Sequence, residues 1–310
     1  MKVLKYISAF FLTALLLTSC YEDYISDYTY TSTYFATQTP LRTIVADGDM
    51  TFQVGVTLSG LREDDGTHQV FYEVDTTLMD LIPEASAYTL LPDSYYELSN
   101  DSEFDIIPAS HLRVVDVTLD QDLFTADPNA VNETYALPLR ITSSTLDSIP
   151  NSDLDTATID SRNITIVVVK YISPYSGYYY TRGVQYEVNS GTGEYTDTST
   201  FYNSDLSQND YIYLSTIGAN VVETENIGEN IPGGLQFTMN SDGTVDVSSD
   251  DVTVTSVEVS YDSLSYSGWD GVKPTFSIDA TIEWFGLQYK LEYDLIQRQD
   301  PELDLRFEEW

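Results

Sequence analysis

Two histidines, fifty carboxylates and one cysteine are the groups in this 310-residue chain from which a catalytic or metal site would have to be assembled. His68 and His111 lie about forty residues apart on what read as different loops or strands, so neither a Ser-His-Asp triad nor a His/Cys metal set is expected. His68 follows the acidic turn Arg62–Thr67 and reads as a solvated turn residue, whereas His111 opens a strand. The phosphate-cradling pattern GxxxxGK[ST] is absent, and Gly191-Thr192-Gly193 lacks the third glycine and following helix of a dinucleotide site. The nearest approach to a calcium loop, Thr238–Ser249, places Asn240, Asp242 and Gly243 suitably. It puts Thr238 and Ser249 where the first and twelfth ligands should be acids, and reads better as a hairpin turn. With 50 acids some carboxylates must fall at glycosidase spacing by chance, so such pairs carry little weight. No catalytic residue, cofactor or metal is assigned, and an enzyme is not expected.

Aromatic side chains are the remaining chemical resource: 25 Tyr, 12 Phe and 3 Trp. Their π-faces attract the weakly positive C–H faces of sugar rings, and tyrosine and tryptophan add a polar edge for hydroxyls. Most of them fall on alternating strand positions and are accounted for by packing. Trp269 departs from that pattern, lying in the turn-rich stretch SYSGWDGVKP. A sugar platform is expected there, with Asp270 accepting from sugar hydroxyls and Lys273 donating to them; a loop tryptophan capping one end of a barrel is the alternative. Tyr178, Tyr179 and Tyr180 must point alternately on a strand, which makes Tyr178 a further glycan-binding candidate.

The elements that must position these residues are strands nearly throughout. In the first half, runs rich in Val, Ile, Tyr and Thr predict strands at Thr51–Leu58, Gln69–Val74, Tyr95–Leu98, Leu112–Leu119, Tyr135–Thr142 and Ile164–Tyr171, with a helical turn within Thr77–Ala85. About seven strands over some 140 residues fit an immunoglobulin-like β-sandwich. In the second half, Val184, Tyr186 and Val188 share one strand face, and Ser190–Gly193 turns the chain back. Leu235, Phe237 and Met239 lead into a hairpin turn at Asn240–Gly243. In VTVTSVEVSY the apolar parity switches from even to odd near Thr255-Ser256, as one extra residue in a β-bulge would make it. Phe276 to Trp284 and Leu287 to Leu295 form two apolar stripes joined by a tight turn at Phe285-Gly286. The whole predicts a small antiparallel β-barrel, closed or nearly so. The pattern breaks near Lys170–Ser176, at Pro174 and Gly177, which divides the chain into 34–171 and 172–310.

The formal net charge is −37, which repels phosphate backbones and anionic headgroups, so nucleic acid is excluded as a partner. At the N-terminus, Lys2 and Lys5 precede an apolar run from Tyr6 to Leu17, the layout of an export signal and too short for a spanning helix. Its end, Leu17-Thr18-Ser19-Cys20, resembles the lipobox of bacterial lipoproteins. The resemblance implies that residues 1–19 are a signal peptide, and that Cys20 is lipidated and anchors the chain to a membrane. Removal of that peptide takes two lysines and no acids, leaving 11 basic residues against 50 acidic. Glu22 and Asp23, directly behind Cys20, resemble the surface-export signal of Bacteroidota lipoproteins, which implies an outer-membrane protein facing the cell exterior. Residues 20–33 read as a tether.

SAYTLLPDSYYELSN (Ser86–Asn100) and YALPLRITSSTLDSI (Tyr135–Ile149), preceded by TFQVGVTLSG, resemble the N-terminal domain of unknown function that opens many surface lipoproteins of polysaccharide-utilisation systems in Bacteroidota. ISPYSGYYYTRGVQY (Ile172–Tyr186) and the half after it are similar to a lipocalin-like domain found behind that one. These resemblances bring no catalytic residues. They imply a non-enzymatic surface lipoprotein that binds a glycan or assists an uptake complex, with an outer-membrane porin and lid-lipoprotein pair as partners. A structural or adhesive surface lipoprotein without glycan binding is the rival reading.

Overall fold

The computed structural model describes residues 30–310, except 152, 154–156, 230, 267, 268 and 270. Cys20, Glu22, Asp23 and Asp270 therefore lie outside the described residues. The chain is all-β: a two-sheet sandwich followed by a nearly closed antiparallel barrel.

The sandwich is built from β1 (Ser32–Phe35), β2 (Pro40–Val45), β3 (Thr51–Ser59), β4 (Val70–Val74), β5 (Thr89–Leu90), β6 (Tyr96–Leu98), β7 (Asp105–Ile106), β8 (Leu112–Leu119), β9 (Tyr135–Ser144) and β10 (Ile164–Ile172). One sheet runs β1-β3-β8-β6, with β7 also on β8, and the other runs β2-β10-β9-β4, with β5 also on β9. In β3 the alternation TFQVGVTLS buries Phe52, Val54, Val56 and Leu58 and leaves the residues between them at the surface. These side chains meet Leu137, Leu139, Ile141, Val167, Val169 and Tyr171 across the sandwich. The run ITIVVV of β10 does not alternate because both of its faces are covered. Its outer face carries Ile164, Ile166 and Val168, packed under Leu78, Ile82 and Ala85. Those come from helix α1 (Leu78–Leu81) and the 3₁₀ turn Pro83–Ala87. Asp75 starts that segment by accepting from the amide and hydroxyl of Thr77. Helix α2 (Gln121–Ala126) is capped by Asp120, which accepts from the Leu123 amide at 2.9 Å, and it delivers Phe124 to the core.

The barrel comprises β11 (Gly177–Val188), β12 (Tyr195–Phe201), β13 (Tyr211–Gly218), β14 (Val221–Thr224), β15 (Asn226–Ile227), β16 (Ile231–Pro232), β17 (Gln236–Met239), β18 (Val245–Ser248), β19 (Thr253–Ser265), β20 (Val272–Trp284) and β21 (Leu287–Gln297). Its sheet order is β18-β17-β14-β13-β11-β21-β20-β19, so the last long strand returns to the first. Among the described residues β18 and β19 share no ladder, which leaves the one gap in the wall. The register of β19 slips between Val254 and Ser256, the bulge that the parity switch predicts. Phe285 and Gly286 both take positive φ, 47° and 79°, in the turn between β20 and β21. The interior is filled. Phe237 stacks on Phe276 with centroids 5.0 Å apart, Tyr179 and Tyr261 flank that pair, and the β15–β16 hairpin adds Ile227 and Ile231.

Two segments differ from the sequence reading. Ser32 and Thr33, assigned to the tether, belong to β1 and pair with Ser59 and Leu58 of β3. Residues beyond Gln297, assigned to the barrel half, turn back through helix α3 (Pro301–Asp304) to β22 (Glu308–Glu309), which pairs with β2. Trp310 completes the return: its Nε1 donates to the Ile166 carbonyl at 2.7 Å and its ring meets Tyr88 edge-on at 4.8 Å. The sequence EEW has no strand alternation; the free edge of β2 decides its conformation.

Candidate functional site

The β11 strand fixes the candidates on the outer wall. Tyr179 faces inward and is buried, its hydroxyl donating to the Tyr175 carbonyl at 2.9 Å. Tyr178 faces outward, 39% exposed, and meets Tyr213 and Tyr211 edge-on at 5.0 and 5.5 Å. Tyr180 also points outward but is roofed by Leu206, Tyr266 and Ile296.

Trp269 is 40% exposed in the loop between β19 and β20, as a platform would be. Lys273, expected to donate to a sugar, has a buried side chain. Its ammonium donates to the carbonyl oxygens of Gln297, at 3.1 Å, and Arg298, and lies 4.2 Å from the Trp269 ring centroid. Burial pushes the Lys273 ammonium below the usual lysine range. The sequence shows Lys273 four residues after Trp269 but cannot show that β20 turns it toward the end of β21.

A different surface brings together what a polar ligand needs. Ile278 and Tyr293 point into the barrel, so the residues on either side of them point out. In register across four strands, Arg182, Asp294, Ser277 and Ser260 form one outward row, and Val184, Glu292, Asp279 and Glu258 form the next. All of these but Val184 line a groove of about 640 Å³, with Tyr202 as its wall. The Arg182 guanidinium lies 5.1 Å from the centroid of Tyr202 and 4.5 Å from that of Tyr266. Its Nε and Nη2 donate to Asp294 Oδ2 at 3.4 Å each, and Ser277 Oγ donates to Asp294 Oδ1 at 2.9 Å. Tyr266 is held from below by a 2.8 Å hydroxyl contact with Thr275, and burial pushes its phenol up. Tyr202 itself is 58% exposed. Lys290 pairs with Asp279. Glu258 and Glu292 have no side-chain partner among the described residues and remain open acceptors. The groove therefore offers an aromatic wall beside a guanidinium, a donor and several acceptors. Sequence reasoning missed Arg182 and Tyr202. Arg182 shares the parity of Tyr178, and Tyr202 lies opposite it across the β11–β12 hairpin, but Asp294, Ser277 and Tyr266 lie more than seventy residues away.

In the sandwich, Asp64, Asp65 and His68 bring three ligand-type atoms within 4.8 Å of one another. Asp64 is already committed to Arg113 at 2.8 Å, both side chains being fully buried. Asp65 accepts from the hydroxyl and amide of Thr67, which holds its carboxyl below the usual range. His68, expected to be a plain turn residue, lends its carbonyl to Arg113 at 2.9 Å. His111 approaches the Leu61 carbonyl at 3.1 Å through Nε2. The Thr238–Ser249 loop is a hairpin turn, with Asp242 accepting from the amide and hydroxyl of Thr244.

Known proteins place the architecture. A family model described as "-like, N-terminal domain" matches residues 24–148, less than half of the chain and confined to the sandwich side. No curated protein matches. A crystal structure from Bacteroides ovatus, of unknown function, is 21% identical, covers 87% of this chain and 95% of its own, and has a TM-score of 0.71. That likeness shows the fold. An auxiliary nutrient binding protein from Bacteroides thetaiotaomicron is 14% identical over 87% of this chain and 95% of its own, with a TM-score of 0.41, too low to carry an argument.

Proposed function

We propose that this chain is a non-enzymatic surface lipoprotein that binds a glycan in the outer groove of the barrel. The observation that carries the reading is Tyr202, an exposed ring held against Arg182, above a floor of Asp294, Ser277, Glu258 and Glu292. An exposed tyrosine ring offers its face to the C–H face of a sugar, and carboxylates accept from paired sugar hydroxyls. Open, wet contacts of this kind give weak association, with Kd of order micromolar to millimolar. Cys20 supplies the membrane anchor, Glu22 and Asp23 direct export to the outer face, and a porin and lid-lipoprotein pair of an uptake system is the natural neighbour.

A glycan panel tested against the chain from Thr31 onward should yield a ligand. Tyr202→Ala should weaken that binding at least tenfold with the melting temperature nearly unchanged, because the ring is mostly exposed. A panel without any ligand, or a Tyr202→Ala protein that binds as before, overturns the groove. For the anchor, Cys20→Ala should abolish fatty-acid labelling and release the protein from the membrane fraction. Retention of label would remove the lipoprotein assignment.

A further inference from the structure

Along the outer face of β11, four residues from Arg182 and so about 13 Å away at ~3.3 Å per residue, stands a second aromatic station with a different charge. Tyr178 and Tyr213 are direct cross-strand partners, and Tyr211, 58% exposed, packs edge-on against Tyr178. Over Tyr178 and Tyr211 lies the guanidinium of Arg298, 5.9 Å from each centroid. The backbone of Arg298 is pinned on both sides: its amide donates to the Tyr178 carbonyl at 2.8 Å, and its own carbonyl accepts from the buried Lys273 ammonium. The side chain is exposed and makes neither a hydrogen bond nor an ion pair among the described residues. Arg298 thus stands over two tyrosine rings with its donors open, in a chain of 50 acidic residues against 13 basic.

The space in front of it is a cleft of about 760 Å³, lined by Arg298, Tyr211, Asp210, Asn209 and Ser207 on one side and by Glu229 on the other. The loop behind Asn209 is tied to itself. The Asn209 amide donates to the carbonyls of Asn203, Asp205 and Leu206 at 3.0 to 3.1 Å, and its Oδ1 accepts from the Asn203 amide at 2.7 Å. Glu229 is engaged by the Ser199 hydroxyl. The cleft thus has rigid walls, one open cation and an acceptor at Asp210. A planar guanidinium with its donors free matches a carboxylate bidentately, and the Tyr211 ring that lines the same cleft suits the C–H face of the same sugar.

We propose that Arg298, seated on Tyr178 and Tyr211, is a subsite for the carboxylate of an acidic sugar, so that the glycan taken by this face carries an isolated uronate- or sialate-type residue. This rests on the glycan reading above and adds the ligand's charge. An isolated carboxylate is specified because the charge of −37 repels an extended polyanion, whereas one acid against Arg298 is decided by contacts shorter than the ~8 Å screening length of physiological salt.

The test uses the full-length protein and matched sugar pairs: a glucuronate-substituted xylo-oligosaccharide with its unsubstituted counterpart, and sialyllactose with lactose. In at least one pair the acidic member should bind about tenfold more tightly, the fold-change of a charge-assisted pair. Arg298→Gln should erase that preference and leave the neutral member's affinity and the melting temperature unchanged. Arg298→Lys should keep a smaller preference, since a point charge replaces a fork. Equal affinity for acidic and neutral members, or a preference that survives in Arg298→Gln, overturns the subsite; if Tyr202→Ala still weakens the neutral sugar, the groove stands without it. Failure of all four sugars to bind overturns the glycan reading and the subsite together.

Discussion

Gly183 is the position at which a single methyl group should open the barrel. It sits in β11 opposite Tyr293 of β21, on the seam that joins the first and last long strands, and lines the groove beside Arg182. A Cβ at Gly183 would lie 2.3 Å from the Glu292 carbonyl oxygen, 2.3 Å from Tyr293 Cβ and 2.5 Å from Tyr293 Cα. Ordinary contact begins at 3.4 Å, and two of these three atoms are backbone, so no side-chain rotation relieves the clash. The strands must part by roughly 1 Å beyond the ~4.8 Å spacing of a paired ladder. That costs about two ladder hydrogen bonds at ~1 kcal/mol each, and the loosened packing of Tyr293, only 4% exposed, adds a comparable amount. Gly183→Ala should therefore destabilise the barrel by about 3–5 kcal/mol, which lowers its melt by roughly 10 °C or more. Gly191→Ala is the control: its added carbon meets only the flexible Asn189 side chain, at 3.3 Å, and should change stability by less than ~0.5 kcal/mol. Denaturant titration followed by tryptophan fluorescence reads both. A Gly183→Ala barrel as stable as the Gly191→Ala control would refute the close approach of β11 to β21, and with it the register that assembles the groove.

Three further outcomes follow from the packing. Replacing Arg113 with Met strands the buried Asp64 carboxylate and should cost about 3–5 kcal/mol, whereas adding Asp64→Leu should recover most of it; urea melts of the two variants decide, and equal losses would show that the pair is not the cause. Raising the pH should unfold the chain between about 10 and 12. The hydrogen bond to Asp127 pushes the Tyr135 phenol up to about 12, burial pushes Tyr261 up to about 12, and burial also raises Tyr179 and Tyr293. Phenols raised in the folded state contribute stability that is complete below the unfolded value of ~10 and is lost as the pH climbs through the folded one. Strand ellipticity that persists after these tyrosines have ionised would contradict that reading. Finally, Trp310→Ala removes an edge-on ring contact and leaves the Ile166 carbonyl without its 2.7 Å donor, so the sandwich should lose about 2–3 kcal/mol. A thermal melt of the sandwich indistinguishable from the parent would mean that the C-terminal return does not brace it.

Periodicity carried most of the strands because burial on one face and water on the other writes itself into alternate residues. Leu112–Leu119 is read from the sequence with both ends right, and the β19 bulge is legible because one extra residue inverts parity. The same principle sends Tyr178 and Tyr179 to opposite faces but does not say which is which: the apolar set Val184, Tyr186 and Val188 shares the outward face with Tyr178, and pairing with β21 sets that phase. β22 and the first residues of β1 escape it, being short edge segments whose conformation comes from the strand they dock on. The candidate site escapes it for a stronger reason. Alternation gives the parity of a side chain within its own strand and is silent about which strands become neighbours. Arg182 meets Asp294, and Lys273 binds the carbonyls of Gln297 and Arg298, only because β21 pairs with β11 and β20, whereas Tyr202 reaches Arg182 across the local β11–β12 hairpin. The sequence by itself determined an all-β chain and, within each strand, which residues share a face, because successive side chains alternate. Strand pairing decided which of those faces looks outward and which residues of distant strands share a surface, since that depends on register between strands far apart in the chain.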